Sequence, residues 1–527
     1  MITRRAALAL VPTLLAAKYA RAAEPQGVLH RGNRFEPASL DPHKTNTNYE
    51  ANIIHDLFEG LMTYDAEGQV VAGLASAWSI STDGLRYTFS LRTGLAWSDG
   101  VPLTAEDVVY SFRRLMDPKT AAVFAQLMYV LKNGRMVNAG TMPAEALGVS
   151  APTLGTVVLE LETPAPYLLE LLANAFAVMI PRHVITKAGD GWTRPGAMAS
   201  SGAFMLESWV PQARIDLVRN PKFYDVAHVT LPRVAYIPTE DLTAALARFR
   251  AGELDMQNDI PLGQIATLRT ELPVETRLTP TLLTYYLALN TTRPKLADPR
   301  VRRALSLAID REVLTAKVLR GGEPPAYSFV PPMVAGYTPP QMSDAALSPE
   351  ARLAEAQRLL AEAGYTTAKP LQIIYSHSAN LELRRIGVII ASMWKQAGVQ
   401  ASLFNTEGRV HFANLRQGDF DVGFVGWSAD FNDASSFLYV LNSASVNSNY
   451  SRYHNPAYDG LLAKAAETEN AGARAGLLRE AEEMALKDQP IIPLYFGVTK
   501  NLVSQRVVGW RANPVDVHQS RYLSVTR

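Results

Sequence analysis

The 527-residue chain contains no cysteine. That single absence excludes thiol nucleophiles, thiolate metal sites and a disulfide framework. One sign of charge is also lacking: 51 basic residues face 50 acidic ones, for a net charge of +1. A nucleic-acid groove usually needs a basic excess, so nucleic acid is not expected as a partner. Long apolar runs are missing as well. After the N-terminal segment none reaches 18 residues, so the mature chain is expected to be soluble. Several catalytic signatures are absent. There is no Gly-x-Ser-x-Gly elbow, no His-Glu-x-x-His pair and no Gly-x-x-x-x-Gly-Lys-Ser/Thr phosphate loop. The sequence therefore predicts no catalytic residues, no metal and no cofactor.

What is present is enough apolar material for real cores. Hydrophobic residues make up 48% of the chain, and mean hydropathy is near zero. At roughly 100–200 residues per domain, the length predicts two to four domains.

The N-terminus carries an export pattern. Met1-Ile2-Thr3-Arg4-Arg5 is a basic start, Ala6 to Ala17 is an apolar run of 12 residues, and Ala20-Arg21-Ala22 fits a small-x-small cleavage site. Twelve helical residues are too short to cross a hydrocarbon layer about 30 Å thick. Residues 1–22 therefore read as a signal peptide cleaved near Ala22. Thr3-Arg4-Arg5-Ala6-Ala7-Leu8 is similar to a twin-arginine signal but lacks its usual aromatic and lysine, which leaves the export route open. No cysteine follows to carry a lipid anchor.

The remaining chain alternates strand and helix signals. Arg86 to Leu91 alternates with period two behind an Asp83-Gly84 turn. Thr104 with Asp107 predicts a capped helix whose inner face is Val108, Val109, Phe112, Leu115 and Met116. Asp298-Pro299 opens a helix that Gly321-Gly322 is expected to close. Ser348-Pro349 opens another, with Leu353, Ala356, Leu359, Leu360 and Ala363 facing inward. Leu371 to Tyr375, a helix from about Leu381 to Ala397, and Val399 to Phe404 read as strand–helix–strand, so the two strands should be parallel. Phe420 to Val425 reads as a buried strand ending at Gly426-Trp427. Such alternation predicts an open α/β architecture. Ligands of those sheets sit at the carboxyl ends of strands, which marks Gly426-Trp427-Ser428-Ala429-Asp430. His377, His411 and His454 lack ligand spacing and read as structural or surface residues. Glu482-Glu483 lies in a mixed-charge helix and reads as solvated, and Asp255 and Asp259 have no evident acid–base partner.

Several segments together resemble one family. They are Ser39-Leu40-Asp41-Pro42-His43-Lys44, Asp56-Leu57-Phe58-Glu59-Gly60-Leu61, Ala96-Trp97-Ser98-Asp99-Gly100, Leu103 to Ser111, Asp298-Pro299-Arg300-Val301-Arg302, Leu360 to Tyr365, and Trp427-Ser428-Ala429-Asp430-Phe431-Asn432-Asp433. In this order they resemble the extracytoplasmic oligopeptide- and dipeptide-binding proteins of ABC importers, the oligopeptide-binding branch most of all.

The resemblance implies a periplasmic binding protein rather than an enzyme: a monomer that takes a short peptide and meets a membrane permease. It implies a two-lobe α/β fold with a hinge. Lobe I would comprise residues 23–58, 185–283 and 497–527, with an inserted subdomain at 59–184, and lobe II would run over 284–496. The hinge would fall near Thr284-Tyr285 and Phe496-Gly497, where Tyr285 either lines the cleft or packs in the core. Asp430 would pair with the ligand's α-ammonium; a helix N-cap is its other reading. Main-chain groups at Gly426, Trp427 and Ser428 would bond the peptide backbone, with Asn46, Thr47 and Asn48 facing them and Asn258 nearby. The branch's basic or histidine positions for the ligand carboxylate correspond here to Leu319, Leu383 and Phe424, and an acidic position to Asn46. Arg320 is a replacement partner, as are Arg384, Arg409 and Arg416. Murein peptides, glutathione-like compounds and metal chelates stay open as ligands, and a secreted hydrolase is the alternative from another class.

Overall fold

The computed structural model describes residues 27–366 and 368–526. The expected signal peptide at residues 1–22 lies outside them.

One mixed sheet of ten strands forms the backbone of the molecule. Its order is Val399–Thr406, Leu371–Ser378, Val422–Ser428, Thr276–Leu289, Ile491–Val503, Met256–Asn258, Val28–Asn33, Arg233–Pro238, Arg214–Arg219 and Phe204–Val210. The two middle strands are the long ones, at 14 and 13 residues. At one end they pair with Met256–Asn258, and at the other with Val422–Ser428. They are the covalent and hydrogen-bonded link between the two halves of the sheet.

That link is interrupted at one place. The antiparallel ladder runs from Thr276↔Leu502 to Pro280↔Val498 and resumes at Thr284↔Phe496. Three residues, Thr281 to Leu283, therefore oppose Gly497 alone. Thr281 Oγ1 and Leu282 N–H both donate to Pro514 O, at 2.7 and 3.3 Å. A Cβ on Gly497 would lie 2.7–2.8 Å from the Leu283 side chain, so only glycine fits under the bulge. The interruption falls beside the positions read from sequence as a hinge.

The expected strand–helix–strand unit is present. Leu371–Ser378 and Val399–Thr406 pair in parallel, joined by the helix Leu381–Gln396. Ile386, Ile390 and Trp394 of that helix are buried against the sheet. The capping box at Thr104 forms, with Thr104 N–H donating to Asp107 Oδ2 at 2.9 Å. All five residues of the expected inner face of that helix are buried. It packs against a separate sheet of four strands, Ala75–Ile80, Arg86–Leu91, Thr156–Glu160 and Val149–Thr153.

Four sequence readings need correction. The helix opening at Asp298 stops at Leu307 and restarts at Arg311, because Asp310 caps the new turn through Val313 N–H at 2.9 Å. The buried Arg311 guanidinium then donates to Pro493 O and Ser306 Oγ. Second, the strand read as ending at Gly426-Trp427 continues to Ser428. Third, Glu482 is not solvated. It is fully buried, and its carboxylate accepts Phe329 N–H, Val330 N–H and the Tyr337 hydroxyl at 2.6–2.8 Å. Glu483 is the exposed member of that pair, beside Arg479. Asp255 and Asp259 also have partners: His30 and Arg506 for the first, Arg34 and Tyr49 for the second.

Two stability predictions follow from these contacts. Glu482→Ala orphans two buried N–H groups and should cost about 2–4 kcal/mol; Glu482→Gln keeps an acceptor and should cost less. Burial pushes the Glu482 carboxyl up to about 7. The folded state thus holds its proton longer than the unfolded chain, so this group's contribution falls as pH rises from about 4.5 to about 7. Urea unfolding at pH 5 and pH 8 should show that slope in the parent and a flatter one in Glu482→Gln. Gly497→Ala should cost about 1–3 kcal/mol by overpacking, and Leu283→Ala in the same chain should recover part of the loss, read as a non-additive double-mutant cycle.

Candidate functional site

The strand Val422–Ser428 exposes one edge. It pairs along its whole length with Thr276–Leu289, from Leu283↔Ser428 to Leu289↔Val422. On its other side Leu371–Ser378 reaches only Val422 and Gly423. Ala429 N–H donates to Leu282 O at 2.8 Å. Main-chain groups alternate sides along an antiparallel ladder. Trp427 and Val425 therefore point theirs at the long strand, while Gly426 and Ser428 point theirs at the strandless edge. His411 Nε2 lies 3.0 Å from Phe424 O and covers the first carbonyl of that edge. Gly426 and Ser428 are exposed.

Beyond the strand the chain turns through Asp430. This aspartate is half-buried, and burial pushes its carboxyl up to about 6. Among the described residues no hydrogen bond or ion pair reaches that carboxylate. Its backbone N–H donates to Ser436 Oγ at 3.0 Å. The capping reading is not met: Asp433, not Asp430, accepts Ser435 N–H at 2.8 Å at the start of the helix Ser435–Leu438.

The loop around Asp430 is held from several directions. Trp427 Nε1 donates to Ser436 O at 2.8 Å, which makes its indole a brace of the loop. Arg474 grips Asp433 with both guanidinium nitrogens at 2.6 and 2.8 Å. Asn432 Oδ1 accepts Ala335 N–H at 3.0 Å. Phe431 stacks on Tyr167 at 4.1 Å between centroids and 8° between planes. Beneath Tyr167 the Glu170 carboxyl is pushed up to about 7, by burial first and by Asp433 as well. Ser436, Arg474 and Tyr167 were not singled out from sequence. They are far along the chain from Asp430 or carry no motif, so only folding brings them together.

The other candidates fall into two groups. Asn46, Thr47 and Asn48 are exposed at the start of the helix Asn48–Leu57. Thr47 is its N-cap, and Glu50 accepts the N–H groups of Asn46 and Thr47 at 2.8 and 3.1 Å. Asn258 ends the strand Met256–Asn258, next to Asp259, whose carboxylate accepts the Tyr49 hydroxyl. That contact places Asn258 near the Asn46–Asn48 segment. Tyr285 lies on the other half of the sheet, directly opposite Gly426 and Tyr495. Its ring stacks on Tyr495 at 4.7 Å and on Phe424 at 5.8 Å. A Cβ at Gly426 would lie 2.9 Å from that ring, so the glycine is what lets the tyrosine lie across the strand.

Leu319, Leu383 and Phe424 pack with Tyr285 in one apolar cluster. Arg320, in the left-handed conformation at φ 58°, lines an adjoining cavity of about 530 Å³ with Lys317 and Arg385. Arg384, Arg409 and Arg416 do not line it; Arg385 was not singled out from sequence. His377 and His411 are buried and His454 is exposed.

Comparison with known proteins places this geometry. Residues 69–449 match the family described as bacterial extracellular solute-binding proteins, family 5 Middle. The periplasmic oligopeptide-binding protein OppA of Salmonella typhimurium is 38% identical over 533 residues, covering 98% of this chain and 97% of that protein. Among solved structures, the unliganded open form of the murein tripeptide-binding protein MppA has a TM-score of 0.88 at 36% identity, covering 95% of this chain and 99% of that one. Haemophilus influenzae OppA in complex with the peptide RPPGFSPFR has a TM-score of 0.75 at 33% identity, with the same coverage of 95% and 99%. The chain belongs to the family 5 extracellular solute-binding proteins of bacteria.

Proposed function

We propose that this chain is the periplasmic substrate-binding component of an ABC importer, which captures short peptides between two lobes and delivers them unchanged to a membrane permease. The reading takes residues 1–22 as a cleaved signal peptide. It assigns residues 23–58, 185–283 and 497–527 to the first lobe, 59–184 to an inserted subdomain and 284–496 to the second. It takes the protein as a monomer that does no chemistry on its ligand and binds no nucleic acid.

One observation carries the peptide reading. A desolvated carboxylate without a protein partner, Asp430, stands at the end of a strand whose edge offers the main-chain groups of Gly426 and Ser428. A buried charge is costly unless paired. A ligand ammonium supplies the pair, and an extended backbone adds to the edge as a further strand. Main-chain bonding does not read side chains, which suits a carrier of varied peptides. The higher TM-score to an unliganded open form supports closure about the broken ladder as the capture step. A murein tripeptide, the ligand named for that neighbour, would use the same carboxylate.

Asp430→Ala should weaken peptides with a free amine by about tenfold or more, from loss of a charge-assisted bond, and leave N-acetylated peptides almost unaffected. Titration calorimetry on both ligand sets checks this; equal losses would remove Asp430 from the ammonium site. The pH profile gives a second check. Binding an ammonium favours the ionised carboxyl, which burial holds near 6 in the free protein. Affinity should be level above about pH 6 and fall by up to about tenfold per unit below it.

A further inference from the structure

Phe431 follows Asp430 in the chain, yet its ring does not pack with its own neighbours. Trp427, Ala429, Ala434 and Phe437 all join the apolar core around Tyr286 and Phe329. Phe431 instead packs against the core of the other half, built around Leu29, Phe89 and Phe112. Tyr167 receives it there. The two rings lie 4.1 Å apart between centroids and 8° from parallel. Tyr167 itself rests on that second core, next to Leu168 and Leu171. Three residues on, the Glu170 carboxyl takes a hydrogen bond from the main chain of Asn432.

These contacts join the halves away from the two long strands, and they are narrow. Two cavities adjoin the pair. One of about 550 Å³ is lined by Ala165 and Pro166 from one half and by Tyr337, Ala434 and Leu478 from the other. The second, of about 470 Å³, has both rings in its wall beside Gln126, Tyr129 and Arg135. The loop that carries Phe431 is otherwise fixed to its own half. Asn432 accepts Ala335 N–H at 3.0 Å, Arg474 holds Asp433 at 2.6 and 2.8 Å, and Asp430 N–H donates to Ser436 at 3.0 Å. The ring therefore moves with the half that carries Asp430.

A parallel stack is a condition on orientation as well as on distance. If the halves turn about the bulge opposite Gly497, one ring tilts against the other by the same angle unless the axis is normal to both rings. The likeness to an unliganded open form assigns the pair to the open arrangement. An interaction made in one state and lost in the other biases the equilibrium toward the first.

We propose that Tyr167 and Phe431 form a clasp that holds the empty protein open, so that a ligand must break the stack to close the halves over itself. The inference rests on the reading of a binding protein that closes about this joint, and it adds the force that opposes closure. Aromatic stacking shifts a two-state equilibrium by about two- to tenfold. The clasp thus tunes apparent affinity without needing a bond to the ligand.

The test compares the ligand-stripped mature protein with Tyr167→Ala, Tyr167→Phe and Phe431→Leu. The chain has no cysteine, so Leu154→Cys and Val388→Cys, both exposed and one on each half, take a dye pair. Single-molecule energy transfer then counts closed visits of the empty protein. Tyr167→Ala and Phe431→Leu should raise the closed fraction by about two- to tenfold, while Tyr167→Phe, which keeps the ring, should match the parent. Calorimetry with Ala-Ala-Ala should show tighter binding by the same factor, and the double variant should gain no more than either single one. A closed fraction that stays at the parent's value or falls overturns the clasp, as does binding no tighter than the parent's, or an equal gain in Tyr167→Phe. Phe431→Leu approaches the pair from the other half, so a folding defect in one variant leaves the other to decide. If Ala-Ala-Ala does not bind the parent, the peptide reading fails, and the closed fraction still decides the clasp.

Discussion

The structure depends on two long strands that run through both halves of one sheet and break their ladder once. Thr276–Leu289 and Ile491–Val503 pair on either side of a three-residue bulge opposite Gly497. Backbone pairing on each side keeps each half rigid. The bulge leaves few main-chain bonds where the halves meet, and the proposed closure would turn about this place. Leu283 fills the space above Gly497, and the C-terminal segment steadies the bulge through Pro514 O. The same joint fixes the site, because Tyr285 follows the bulge and Gly426 lies across from it.

The charged groups divide by whether the protein completes them. Glu482 accepts three hydrogen bonds, Arg311 is spent on carbonyls and a hydroxyl, and buried Arg521 meets Glu59 at 2.7 Å. Those groups specify packing. Asp430 differs. Its loop is braced by Trp427, Ser436, Asp433 and Arg474, yet its carboxylate receives nothing. A half-buried acid with no protein partner beside an open strand edge is the group that the proposed ligand ammonium would complete.

Local chemistry made much of the fold legible in the sequence. Thr104 with Asp107 and Ser348-Pro349 announced helices that formed where their caps stand. The parallel pair around Leu381–Gln396 followed from apolar runs of strand length flanking a helix. The failures have physical causes. Asp310 is itself a good N-cap and ended the helix that Gly321-Gly322 was expected to end. Glu482 sits in a charged stretch, and only its distant partners at Phe329, Val330 and Tyr337 explain its burial. The candidate site was legible as a segment, Gly426 to Asp430, because it ends a strand. Its supports at Tyr167 and Arg474 were not, since each is brought in from more than 40 residues away.

The most direct test of the account is the structure of the exported protein purified without refolding, with whatever it carries. The account predicts an extended peptide whose terminal nitrogen lies within hydrogen-bond distance of the Asp430 carboxylate and whose main chain pairs with Gly426 and Ser428, with the two halves of the sheet rotated together about Gly497. A ligand seated elsewhere, or one that leaves Asp430 facing no cation, would contradict it.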